Sequence, residues 1–233
     1  MVKNLGNIIP GARYSGLCSL PHAPGFGNRR TGIGEVYMTT IMKLVAVIAV
    51  ALFFSGCSIR HVVSDDYQQY LINNKGGFQL PQTNYDAEYV LTPNTVSHNY
   101  EFRAATTGYA NLWVVNFGEI LEKTLQSEEV QRAFKRLLKA KDGVGSGAMT
   151  IRYNLEDYRF AGFEARVTLR ISVLREGSVI FDKIYFEKGI SQGGKMFWAG
   201  VFGMKNAIHQ STKNAIDKIL AKSLYDIMAQ DIQ

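Results

Sequence analysis

The chain has 233 residues, 46% of them hydrophobic and 20% charged, with a formal net charge of +6 and two cysteines. Most of the basic excess sits at one end: Lys3, Arg13, Arg29, Arg30 and Lys43 oppose only Glu35 within the first 56 residues, so the remainder carries +2. That balance leaves no electrostatic footprint for nucleic acid, and the 177 residues that follow suffice for one domain with its own core but fall short of two.

Residues 1–41 hold three of the five prolines and no sustained hydrophobic period, so no folded element is expected there. An export signal beginning 42 residues into a chain is badly placed, and Met38 and Met42 are both candidate starts. The segment is read as the product of a mis-set start codon; the competing reading is a genuine flexible or cytoplasmic extension. A start at Met42 would remove Cys18 and leave Cys57 with no disulfide to form.

From Met42, one lysine precedes an unbroken apolar run, Leu44 to Phe54. At about 1.5 Å per residue the run reaches ~16 Å, against a hydrocarbon core of ~30 Å, so it does not span comfortably. A charged start, an apolar centre and small residues at the end make 42–56 a secretory signal, the alternative being a buried core segment. Ser55 and Gly56 stand directly against Cys57, and Phe54-Ser55-Gly56-Cys57 resembles the lipobox of bacterial lipoproteins, with Phe54 where leucine is usual. The resemblance implies that the Cys57 thiol is diacylated, the signal is cut before it, and the new amino terminus is acylated too. By the enteric sorting rule, Ser58 in place of aspartate implies the outer membrane, facing the periplasm.

Residues 57–83 are polar, with Asp65, Asp66, Gln68, Gln69, Asn73 and Asn74 crowding a short span, and are expected to form a lipidated tether. An arm laid on the domain surface near Tyr67 to Ile72 is the alternative. A single α+β domain is expected over 84–233. It opens with short strands at Tyr89 to Leu91 and Tyr100 to Arg103, separated by Thr92-Pro93-Asn94. A helical region is predicted over Leu112 to Lys141, from the three-and-four recurrence of Ile120, Leu121, Leu125, Val130, Phe134, Leu137 and Leu138. Ser127-Glu128-Glu129 marks a fresh helix start within it.

After the glycine-rich loop Gly143 to Gly147, Met149 to Glu156 and Phe163 to Val173 alternate strictly between apolar and polar residues. Period two predicts strands with one face buried and one wet, and the turn Arg175 to Ser178 leads into a third strand, Val179 to Lys188. A long amphipathic helix over Asn206 to Met228 closes the chain, with a buried stripe of Ile208, Thr212, Ala215, Ile216, Ile219, Leu220, Leu224, Ile227 and Met228. The expected fold class is α+β, a mainly antiparallel sheet with amphipathic helices packed on one face, in the order strand, helix, three-strand meander, helix.

Catalytic patterns fail one by one. Gly189 to Met196 has the glycine and lysine spacing of a P-loop, but Met196 offers no hard oxygen for Mg²⁺ and the preceding strand is antiparallel, so no nucleotide is expected. Gly143 to Gly147 precedes a strand instead of opening a helix. His61, His98 and His209 are scattered and give no zinc spacing, with His209 expected at the surface or a boundary. Glu156-Asp157 and Asp65-Asp66 are adjacent acids that point apart on a strand. No catalytic residue, metal or cofactor is expected. One segment stands out: Met196 to Met204, whose Met196, Phe197, Trp198 and Phe202 are candidate partner or membrane contacts, with a plug at the sheet end as the alternative.

With Cys57, Tyr89-Val90-Leu91-Thr92-Pro93, the Phe163 to Val173 strand and a closing helix carrying Ala215, Ile219, Leu220, Ser223 and Leu224, the chain resembles YajG-like lipoproteins and the auxiliary lipoproteins of ABC-type transporters. That likeness implies a non-enzymatic accessory or adaptor protein of the bacterial envelope, attached to the membrane through Cys57 and docked on an envelope protein partner. The alternative is a carrier of lipid or a peptidoglycan fragment, with an apolar cavity between sheet and helices.

Overall fold

The computed structural model describes residues 41–45, 58–76, 78–141, 145, 148–191 and 193–231, with the side chains of 194–199 excepted. The chain divides into two compact units, Met1–Ser55 and Gly56–Gln233. In the first, residues 41–45 are helical with exposed side chains. The expected extension over 1–41, the rest of the signal over 42–56, and Cys57 lie otherwise outside the described residues.

In the second unit the elements run β1 (Ile59–Val62), α1 (Tyr67–Asn73), β2 (Asp86–Leu91), α2 (Pro93–Ser97), β3 (Asn99–Phe102), a 3-10 turn (Ala105–Thr107), β4 (Asn111–Asn116), α3 (Phe117–Leu125), α4 (Glu128–Gln131), β5 (Arg136–Lys139), β6 (Met149–Ala161), β7 (Glu164–Arg175), β8 (Ser178–Lys188) and α5 (Gly193–Asp231). The class is α+β. Among the described residues the strands form two mixed sheets, one ordered β1-β4-β3 and one ordered β5-β2-β6-β7-β8. The β6-β7-β8 meander is antiparallel, while β2 runs parallel to both β5 and β6.

The helix expected over Leu112 to Lys141 is corrected at both ends. Leu112 to Val115 is a continuous apolar run that forms the central strand of the small sheet, parallel to β1 and antiparallel to β3. Trp113, Val114 and Val115 are all fully buried, as a strand covered on both faces requires. At the other end Leu137 is buried and Leu138 exposed, the period-two signature of β5. Helix remains only between them: α3 carries the buried Ile120, Leu121 and Leu125, and α4 starts after Ser127 as a single turn.

The tether expected over 57–83 is also corrected, in favour of its alternative, an arm near Tyr67 to Ile72 laid on the domain. Val63, Tyr67 and Leu71 belong to the hydrophobic core, and Val63 N–H donates to Val114 O at 2.8 Å. The few apolar residues of this polar stretch are spaced so that one strand and one helical face seat on the domain. Residues 58–76 are therefore part of the fold, and the compact unit starts at Gly56 instead of residue 84.

On the large sheet, Ala165, Val167, Leu169, Ile171 and Val173 of β7 are fully buried beneath α5. Strand β6 buries odd-numbered residues as far as Leu155 and then even-numbered Tyr158 and Phe160. A bulge between Leu155 and Asp157 inserts the residue that flips the parity. Thr95 serves this bulge, its hydroxyl accepting from Leu155 N–H at 2.7 Å. Beyond it, Tyr158 turns to Tyr100 and Phe117 of the small-sheet region.

Helix α3 presses on α2 through Gly118, where an added Cβ would lie 2.3 Å from Thr95 O and 2.8 Å from Val96 Cα. Both obstacles are backbone, so Gly118→Ala should cost about 1–3 kcal/mol, read as a lower urea midpoint at unchanged slope. An unchanged midpoint would mean that the two helices part freely.

Candidate functional site

Helix α5 is interrupted once, at Gly200, whose φ of 55° and ψ of −136° lie outside helical space and suit glycine. The segment Met196 to Met204, expected as a loop, is thus helical on both sides of this break. Its residues part company there: Met204 is buried and Val201 packs partly against the core, whereas Phe202 is 90% exposed. The side chains of Met196, Phe197 and Trp198 lie outside the described residues.

The buried stripe predicted for α5 holds from Ile208 to Ile227, with Met228 only half-buried. The buried surface is wider than a stripe, because Val63 and α1 meet His209 and Glu129 meets Lys213 on a second side of the helix. His209, expected near the surface, is buried: it sits against the Tyr67 and Tyr70 rings with centroids 5.2 and 4.9 Å away. Burial lowers its pKa, so the neutral ring donates its Nε2 proton to Val63 O at 2.6 Å. That bond staples the start of the second unit to α5.

One turn further along α5, Lys213 Nζ contacts Asp217 at 2.7 Å and Glu129 at 2.8 Å. Burial works against the Lys213 charge, but the two carboxylates outweigh it and raise the pKa. Two carboxylates share one cation, and the more buried bears the cost: burial pushes Asp217 up to about 6, more than Lys213 offsets. Glu129 is held low, burial being outweighed by Lys213 and the Gly76 N–H. Asp217 binds its proton more tightly folded than unfolded, so its contribution to stability is full below about pH 4 and is lost as pH rises through 6. Between pH 4 and 7 the stability of the native chain minus that of Asp217→Asn should fall by up to about 3 kcal/mol, at ~1.4 kcal/mol per pKa unit. Urea unfolding of both proteins across the range measures this; a flat difference would contradict the assignment.

Glu129 and Gly76 also line a cleft of ≈ 730 Å³ bounded by α1, the 75–82 segment and α4. Its floor includes Leu71, Ile72, Phe78 and Leu80, and its walls include Gln68, Gln79, Gln82 and Gln126. This is a mixed surface, and it lies away from the space between the large sheet and α5, where Val167, Leu169, Ile171 and Ile216 are fully buried. Gly189 N–H donates to Ala165 O at 2.8 Å, and an added Cβ there would sit 1.9 Å from Ser211 O, so the glycine loop after β8 is packed against α5. Glu156 and Asp157 flank the bulge, where they accept from Arg170 and Arg159 respectively. Among the described residues, no three His, Cys, Asp or Glu gather in a metal-binding group, and no helix is long and apolar enough to cross a membrane.

At the start of the unit only Ser58 separates Cys57 from β1. The Arg103 guanidinium donates to Ser58 Oγ at 2.9 Å and to the carbonyl of Tyr109, and Arg60 pairs with Glu101 at 3.2 Å. Ile59 and Tyr109 are exposed beside them. Local pattern carries no signal for the Arg103 contact, because its partners lie 45 residues before it and across a turn.

No family model matches the chain, and no curated protein does. Among solved structures it is similar to protein XCC0632 from Xanthomonas campestris, a DUF330 protein, with a TM-score of 0.46 and 10% identity over 76% of this chain and 100% of that one. It is also similar to the hypothetical protein CT253 from Chlamydia trachomatis, with a TM-score of 0.33 and 9% identity over 61% of this chain and 96% of the other. Scores and identities this low transfer neither family membership nor role.

Proposed function

We propose that the protein is a lipoprotein anchored through Cys57 that serves as a non-enzymatic accessory or adaptor in a bacterial envelope transport or assembly system, on the outer membrane and facing the periplasm. One observation carries the reading: β1 starts at Ile59, two residues after the cysteine that the lipobox resemblance marks for acylation. The described fold lies after the proposed cut, so the signal can be removed without cost to the domain. With β1 starting at Ile59 the domain rides close to the headgroups, so a partner meets it at the membrane surface. Met196, Phe197, Trp198 and Phe202 are the proposed contacts, and no nucleotide or nucleic acid enters the role.

The mixed cleft lined by Leu71, Phe78 and the four glutamines favours one second reading, a carrier of lipid or a peptidoglycan fragment. Affinity recovery from detergent-solubilised membranes, with protein and lipid mass spectrometry on the same eluate, separates the two. Co-purifying envelope transport or assembly proteins support the adaptor, and a stoichiometric small ligand without them supports the carrier. Recovery of the protein alone would count against both.

A further inference from the structure

Strand β8 is one of the two edges of the five-stranded sheet, β5 being the other. It pairs with β7 in a register that sets Phe181, Lys183, Tyr185 and Glu187 against Val173, Ile171, Leu169 and Val167. Gly189 N–H donates to Ala165 O in the same register, so the odd-numbered residues bond inward to β7. The even-numbered residues, Asp182, Ile184 and Phe186, therefore turn their N–H and C=O groups outward. Such a row is a template for a further strand.

This edge exposes large apolar side chains among its charged ones. Val179, Ile180, Ile184 and Phe186 are all exposed, the last two at 48% and 54%, and Tyr225 of α5 stands exposed beside them. Ile184, Phe186 and Tyr225 line one groove with Lys183, Glu187 and Lys222. Ile184, Phe186 and Tyr225 together make an exposed apolar surface of the kind that marks an interface.

The geometry points to a second copy of this chain as the occupant, paired antiparallel along β8 about a twofold axis at Tyr185. Charge decides the register. Centred on Tyr185, the pairing sets Lys183 opposite Glu187 of the other copy and Ile184 opposite Phe186, each twice by symmetry, while Asp182 keeps its bonds to Arg170 and Ser172. Centring on Ile184 instead sets Lys183 opposite Tyr185 and Asp182 opposite Phe186. Centring on Lys183 places two lysines face to face. Only the Tyr185 register among these matches opposite charges and joins the apolar pair. The new pairs extend ion pairs already present within each copy, Lys183 with Asp226 at 2.8 Å and Lys222 with Glu187. The open stretch ends where Lys218 Nζ covers the Lys188 carbonyl at 2.9 Å. Pairing joins the two five-stranded sheets into one and does not depend on the anchor at Cys57.

The test uses the full chain in detergent. Ile184→Cys and Phe186→Cys are prepared as separate variants, mixed, and oxidised with copper phenanthroline. The Tyr185 register predicts a disulfide-linked dimer in the mixture, because residues 184 and 186 lie opposite, and no more linkage in either variant alone than in the native chain. Directly opposite positions satisfy disulfide geometry, whereas positions offset by two residues exceed the ~7 Å Cα limit. Light scattering should give a dimer mass for the native protein and half that mass for Ile184→Lys, whose side chain is exposed and tolerable to the fold. A dimer mass that survives Ile184→Lys, or a mixture that fails to crosslink, would overturn the interface; crosslinking of Ile184→Cys alone would overturn the register.

Discussion

Lys213→Met should cost about 3–5 kcal/mol of stability, the range expected when one partner of a buried ion pair is removed and its charge is stranded. Lys213 and Asp217 are both buried, and the ammonium is the cation that each of the two carboxylates contacts there. Methionine fills the aliphatic volume, so packing changes little and the loss reports the electrostatics. For a unit of this size it should appear as a fall in Tm of about 6–20 °C. The double variant Lys213→Met with Asp217→Asn should recover part of the loss, because Glu129 is more exposed and keeps the Gly76 N–H. Non-additivity of this sign is what a shared buried cluster requires. Additive losses would show that the two side chains act independently.

Cys57→Ser should move the protein from the membrane fraction to the soluble fraction while leaving its Tm unchanged. The acyl chains would bury dozens of methylenes at ~0.8 kcal/mol each, so removing them is a change from permanent attachment to none. No described helix offers a second means of crossing the bilayer. The core begins at Val63, so the domain has no need of residue 57 for folding. Membrane retention of the serine variant, resistant to alkaline carbonate, would point to a different anchor.

Local pattern was enough where one rule acted at a time. The alternation of Phe163 to Val173 and the stripe from Ile208 to Ile227 each report a buried face, and both elements form, although α5 starts at Gly193 instead of Asn206. It failed where partners distant in sequence decide the outcome. Leu112 to Val115 is apolar at every position, so periodicity cannot separate a helix from a doubly covered strand, and only pairing with β1 and β3 settles it. Tyr67 and Leu71 lie in a polar stretch where an arm on the domain surface is the alternative to a tether, and α5 supplies the opposing surface that decides between them. His209, Lys213 and Asp217 look like a wet helix face for the same reason: the α1 and α4 regions that cover them lie more than 80 residues away. The proposed acylation of Cys57 is read from adjacent residues alone. The β8 edge was legible as a strand, but its open side depended on the sheet order.

Intact-mass and peptide mass spectrometry of the protein isolated from bacterial membranes tests the central claim most directly. The expected species begins at Cys57, with acyl groups on both its sulfur and its amino nitrogen. A chain that retains Leu44 to Gly56 with a free thiol at Cys57 would contradict it.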